Sequence, residues 1–201
     1  MTQLEQLAAD MLAQIDRDEM RRLEQLYPDC TWAKFFDVER FVMCAADKAI
    51  GELRLDQWDF PLRILDLGSG FGYLPLAAKV LGHEAIALEW PNEITQAASR
   101  CVPVRWVFQR IERLVSLFTI GTFDLVNMTG VNLVHAGDSP RQFWSQSDYE
   151  FLIDDVLTML RPDGRFIIEY NRGPEHNWLA GCNWNGRRHT SVGNRIVFTK
   201  E

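Results

Sequence analysis

The run Ile64-Leu65-Asp66-Leu67-Gly68-Ser69-Gly70-Phe71-Gly72 constrains this chain more than any other part of it. Apolar residues suited to a buried strand lead straight into three alternating glycines, and a helical pattern, Tyr73–Leu81, follows at once. Strand, glycine turn and helix in that order open an alternating α/β sheet, in which ligands sit beyond the C-terminal strand ends. Glycine permits positive φ and lets a ligand approach the main chain. The helix behind it directs free N–H groups and the positive end of its dipole at the same place. Such a loop suits a phosphate or a carboxylate, and alone it does not choose. Glu89 does choose. It closes the next strand, within Glu84–Trp90, where an acid accepts hydrogen bonds from ribose hydroxyls.

The periodicity along the rest of the chain supports the same architecture. Leu4, Leu7, Ala8, Met11, Leu12 and Ile15 share one helical face, and Met20, Leu23 and Leu26 carry the pattern on to Pro28-Asp29. A second helix runs from Val38 to Leu53. From Pro61 the period changes. Arg63–Leu67, Glu84–Trp90, Val104–Phe108, Phe123–Met128 and Arg165–Tyr170 read as strands, with helices at Tyr73–Leu81, Asn92–Arg100 and Asp148–Leu160. Pro162-Asp163-Gly164 reads as a turn, and Arg195–Lys200 as a last strand. The expected fold is α/β: a Rossmann-like, doubly wound, mostly parallel sheet with a C-terminal antiparallel hairpin and an N-terminal helical annex. At 201 residues the chain has room for one core, so residues 1–201 are expected to form a single domain, with 1–58 as annex or lid and 61–201 as the Rossmann-like core.

Charge and composition narrow the partners. A net charge of −7 with scattered Lys and Arg lacks the clustered positive field of a nucleic-acid surface, so no nucleic acid is expected. No apolar stretch approaches the roughly 20 residues that span a bilayer, and no membrane partner is expected. The opening Met1–Asp10 is polar and amphipathic rather than a cleavable leader. Cys30, Cys44, Cys101 and Cys182 are widely spaced, which suggests neither a metal site nor a disulfide framework and fits a reducing cytoplasm. Oligomeric state is not legible.

Leu65-Asp-Leu-Gly-Ser-Gly-Phe-Gly72, Ala87-Leu-Glu-Trp90, Phe123-Asp-Leu-Val126 and Leu160-Arg-Pro-Asp-Gly-Arg-Phe166 resemble the motifs of class I S-adenosylmethionine-dependent methyltransferases, over about Arg63 to Asn171. The resemblance implies S-adenosylmethionine as cofactor. It places Gly68, Ser69 and Gly70 beside the methionine portion, gives Asp66 the ordering of the loop, puts Glu89 on the ribose and packs Trp90 on the adenine. Ile111 would offer its N–H to the ring. The chain departs from the family at Arg110, where an aspartate often accepts from the adenine amino group; arginine has no acceptor to offer.

Methyl transfer from a sulfonium is an in-line displacement, which needs alignment and exclusion of water more than a fixed catalytic motif. Asn127, in Val126-Asn-Met-Thr-Gly130, borders the expected methyl position, and the Asn/Asp-Pro-Pro-Tyr/Phe motif of base-amino and glutamine methylation is absent. His135 is a candidate base. Glu169, Tyr170 and His176 are further catalytic candidates, with Trp178 and Trp184 beside them, which suggests a small aromatic or amphipathic methyl acceptor. Trp32, Lys34, Phe35 and Phe36 are expected to cover the pocket. Two other readings compete: a non-catalytic binder of S-adenosylmethionine or S-adenosylhomocysteine, and a NAD-dependent oxidoreductase. The second would prefer glycine at position 73, where this chain has Tyr73.

Overall fold

A computed structural model describes residues 1–133, 143–171, 177–184 and 186–201. They fall into two units, Met1–Gln109 and Arg110–Glu201.

The first unit begins with two helices where the apolar pattern had suggested one face running on to residue 27. α1 (Gln3–Leu12) starts at a reciprocal cap between Thr2 and Glu5. Asp16 then starts α2 (Arg17–Leu26) by accepting from the Glu19 amide at 3.0 Å. The break rotates the pattern and leaves Leu26 exposed. α3 (Val38–Asp47) is capped by Asp37 and runs on as a wider π-turn through Glu52. β1 (Arg63–Leu67), α4 (Tyr73–Val80), β2 (Glu84–Glu89), α5 (Glu93–Ala98) and β3 (Arg105–Phe108) then alternate. The strands pair in parallel, with Leu67 opposite Leu88 and Glu89 opposite Phe108.

α1 and α3 pack on α4, so Met11, Val42, Ala46, Leu76 and Ala77 share one buried layer over Ile64 and Leu65. His83 fastens this layer to the sheet. Its Nδ1 accepts from the Leu62 amide at 3.1 Å, which leaves Nε2 protonated to donate to the Leu55 carbonyl at 2.8 Å.

The second unit contains β4 (Phe123–Thr129), α6 (Gln146–Met159), β5 (Leu160–Glu169), β6 (His189–Val192) and β7 (Arg195–Thr199). β4 and β5 are parallel; β5–β7 and β7–β6 are antiparallel, which gives the expected C-terminal hairpin. Pro162-Asp163-Gly164 does turn, but inside β5. Pairing jumps from Phe123–Leu160 to Leu125–Arg165, and Asp163 takes φ of 60°. Between β3 and β4 an alternating chain would insert a helix. Here residues 113–117 are instead held to α6: Arg113 pairs with Asp148, and the Ser116 hydroxyl and Leu117 amide both donate to Asp155. The strands thus form the expected mostly parallel, Rossmann-like fold with an antiparallel end. Among the described residues, no helix is long and apolar enough to cross a membrane.

Candidate functional site

Gly68, Gly70 and Gly72 adopt φ of 69°, 60° and 78°, a region where a Cβ is strained. At two of them the space is also closed. A Cβ on Gly70 would lie 3.1 Å from the Phe35 ring, and one on Gly72 would lie 2.7 Å from Trp106. The loop's amides are engaged within the unit. Gly68 and Ser69 both donate to the Leu88 carbonyl, at 2.9 and 3.1 Å, and Gly72 donates to Ser69 at 3.0 Å. Buried Asp66 accepts from the Ser69 hydroxyl at 2.7 Å, which orders the loop.

The Gly70 amide donates to Glu89 Oε2 at 2.7 Å, and the Trp90 amide to Oε1 at 2.7 Å. Glu89 is only 5% exposed. Burial, helped by the nearby Asp66 charge, pushes its carboxyl up to about 7 against the two amide bonds that favour the carboxylate. Each oxygen takes one amide and keeps acceptor capacity for a hydroxyl. Trp90, next in the chain, is 52% exposed. Its backbone is fixed, because the Trp90 carbonyl accepts from the Thr95 hydroxyl and from the Asn92 amide group.

Residues 32–36 pack over the loop. Phe71, fully buried, stacks on Trp32 at 6.4 Å and meets Phe35 at 5.5 Å and Phe36 edge-on at 5.0 Å. The Tyr73 hydroxyl donates to the Phe35 carbonyl at 2.8 Å, and burial pushes that phenol up. Sequence reasoning had valued position 73 only as a missing glycine. Tyr73 and Phe71 are in fact what hold the cover down; their signal was two aromatics immediately after a glycine loop.

In the second unit, Asn127 is buried and accepts from the Thr129 hydroxyl at 3.2 Å. Glu169 ends β5 half-buried, and its carbonyl accepts from the Gly130 amide at 2.8 Å. Tyr170 is buried, and its phenol donates to the Gly193 carbonyl at 3.0 Å, in the turn of the β6–β7 hairpin. Asn171 bridges the Gly130 carbonyl and the Asn132 side chain. Arg110 and Ile111 open this unit, both half-buried. Trp178 meets Tyr149 edge-on, and Trp184 is buried against Phe198 as core. His135, Asp138 and His176 lie outside the described residues.

No family model matches the sequence, and none of the curated proteins compared with it matches. Solved structures do resemble it. A TehB-like SAM-dependent methyltransferase from Corynebacterium glutamicum is similar over 85% of this chain and 98% of its own, with 20% identity and a TM-score of 0.53. The PH0226 protein from Pyrococcus horikoshii is similar over 79% and 91%, with 15% identity and a TM-score of 0.52. The T. thermophilus 16S rRNA N2 G1207 methyltransferase RsmC, in complex with AdoMet and guanosine, is matched over 80% of this chain but 42% of its own length, at 15% identity and a TM-score of 0.49.

The expectation that no nucleic acid is involved does not stand. One of the similar structures is a 16S rRNA methyltransferase. The charge argument failed because a net charge of −7 is an average over the whole surface. A base is read by stacking and polar contacts that need little net charge. What the similar structures share with this chain is its architecture: it has the class I S-adenosylmethionine-dependent methyltransferase fold.

Proposed function

We propose that the chain binds S-adenosylmethionine and transfers its methyl group to an acceptor. The observation that carries this reading is Glu89, a buried acid that ends β2 and holds the Gly70 amide. An anion already occupies the place where a dinucleotide's pyrophosphate would seek N–H groups, and the Leu88 carbonyl takes two more of them. A phosphate would meet a carboxylate there, whereas a ribose diol would meet an acceptor. The residues present therefore suit a nucleoside without phosphates.

Bound S-adenosylmethionine supplies a sulfonium-activated methyl group. The chain's own tasks are to hold and to orient. Glu89, as carboxylate, accepts from the ribose hydroxyls, and exposed Trp90 packs on the base. Gly68 and Gly70, without side chains, admit the methionine portion close to the main chain. The aromatic cover of residues 32–36 keeps water from the loop.

Calorimetric titration with S-adenosylhomocysteine and with NAD tests the binding half. Saturable heat with S-adenosylhomocysteine alone is expected; saturation by NAD alone would refute the reading. Methyl transfer from labelled S-adenosylmethionine, offered ribosomal RNA on one hand and small aromatic acceptors on the other, then separates the two acceptor classes.

A further inference from the structure

The loop leaves one part of such a ligand without a partner. The amino-acid end of S-adenosylmethionine carries a carboxylate, and the amides of Gly68, Ser69, Gly70 and Gly72 are all engaged within the unit. The ionisable groups that line the loop, Asp66 and Glu89, are acids and would repel it. A cation must come from elsewhere.

We propose that Lys34 supplies the counter-charge for the carboxylate of the nucleoside amino acid bound at the glycine loop. The inference rests on the S-adenosylmethionine reading of that loop and adds a residue to it. Lys34 lies in the 3-10 turn Ala33–Phe36, and its ammonium sits 4.9 Å from the centre of the Phe35 ring. That same ring stands 3.1 Å from the position a Cβ would take on Gly70. One aromatic ring thus touches both the loop and the ammonium. The Tyr73 hydroxyl fixes the backbone of this turn through the Phe35 carbonyl. Among the described residues, Lys34 makes no ion pair or hydrogen bond, and its charge rests on the Phe35 ring face alone. An exposed ammonium in that state gains a partner when a carboxylate arrives, without breaking an existing pair.

Arg40 provides an internal control. It lies over the Phe41 ring at 5.7 Å, and Phe41 packs on Phe35 at 4.8 Å. It is therefore a similar cation in the same cluster, one ring further from Gly70.

The test measures the affinities of S-adenosylhomocysteine and of its decarboxylated analogue for wild type, Lys34→Met, Lys34→Arg and Arg40→Met. Lys34→Met should weaken S-adenosylhomocysteine about tenfold at low salt, and the analogue less than about twofold. Lys34→Arg should restore most of the loss, and Arg40→Met should change neither ligand. Equal weakening of both ligands by Lys34→Met would overturn the proposal, because the lysine would then act only on the cover's structure. An unchanged affinity for S-adenosylhomocysteine, or the larger loss in Arg40→Met, would overturn it as well. If wild type fails to bind S-adenosylhomocysteine at all, the reading of the loop fails first, and this inference falls with it.

Discussion

The glycine loop of the first unit and the strand ends of the second are built on different terms. In the loop, residues 66–73, backbone amides are held by backbone carbonyls and one buried acid, and aromatic rings close over them. Its conformation depends on atoms that are absent at Gly70 and Gly72. At the ends of β4 and β5, side-chain amides and hydroxyls bond to one another and to neighbouring carbonyls: Thr129 to Asn127, Asn171 to Gly130 and Asn132. The first arrangement tolerates few residue types at each position. The second uses common polar groups in pairs that other polar pairs could replace.

The sharpest way to break this contrast is at Gly72. Gly72→Ala adds a methyl group at φ of 78° and 2.7 Å from Trp106. The indole has little room to yield, because its Nε1 donates to the Val102 carbonyl and its ring stacks on Phe108 at 5.7 Å. A loss of about 3–5 kcal/mol in urea unfolding is expected, and Trp106→Leu in the same chain should return part of it. A loss below about 1 kcal/mol would show that the loop does not depend on the missing Cβ.

Glu89 comes next, and here pH gives the sign. Its folded carboxyl titrates at about 7, above the ordinary value of 4.5. A group raised on folding contributes its stability below the unfolded value and loses it as pH rises through the folded one. The wild-type protein should therefore lose stability between about pH 4.5 and 7, and carry the burial cost of the charge above that. Relative to wild type, Glu89→Gln should gain about 2–3 kcal/mol of stability between pH 4.5 and pH 8, starting from a deficit at pH 4.5 because its side-chain NH2 cannot accept from one of the two amides that Glu89 holds. The same variant should bind S-adenosylhomocysteine at least tenfold more weakly. Thermal unfolding across that pH range, beside calorimetric titration, reads both. Parallel unfolding profiles would deny that Glu89 is buried as an ion, and wild-type affinity would deny its place on the ribose.

The same contrast explains what was legible in the sequence. Glycines at positive φ, a strand's apolar run and an acid at a strand end are local demands, written within a few residues of where they act. Residues 110–122 show the opposite case. Neither a helix nor a strand is read from the sequence there, and what shapes the segment depends on Asp148 and Asp155, far along the chain on α6. β5 begins at Leu160 rather than Arg165, because the turn at Pro162-Asp163-Gly164 is absorbed as a bulge between paired strands. Glu89 was legible as an acid at the end of a strand, but its turn inward to the Gly70 amide was not, since that depends on the loop's folded path. Tyr73 looked like a missing glycine because its partner, the Phe35 carbonyl, belongs to a segment whose docking no periodicity records.

Tyr170 offers the smallest effect and the finest distinction between the two regions. As a residue at the end of β5 it attracted a catalytic reading, yet its buried phenol donates to the Gly193 carbonyl in the β6–β7 turn. The backbone around it is also tied to that hairpin, through the Asn194 carbonyl and the Asn194 side chain. Tyr170→Phe keeps the ring and removes one neutral hydrogen bond, which should lower stability by about 1 kcal/mol. S-adenosylhomocysteine affinity should stay within about twofold of wild type, a difference well under 1 kcal/mol. The loss should also depend on the hairpin. In a chain that already carries Asn194→Ala, removing the phenol should lower stability by less than it does alone, because both groups hold the same turn. Strict additivity would separate Tyr170 from the hairpin and leave its hydroxyl free to serve the ligand side of β5.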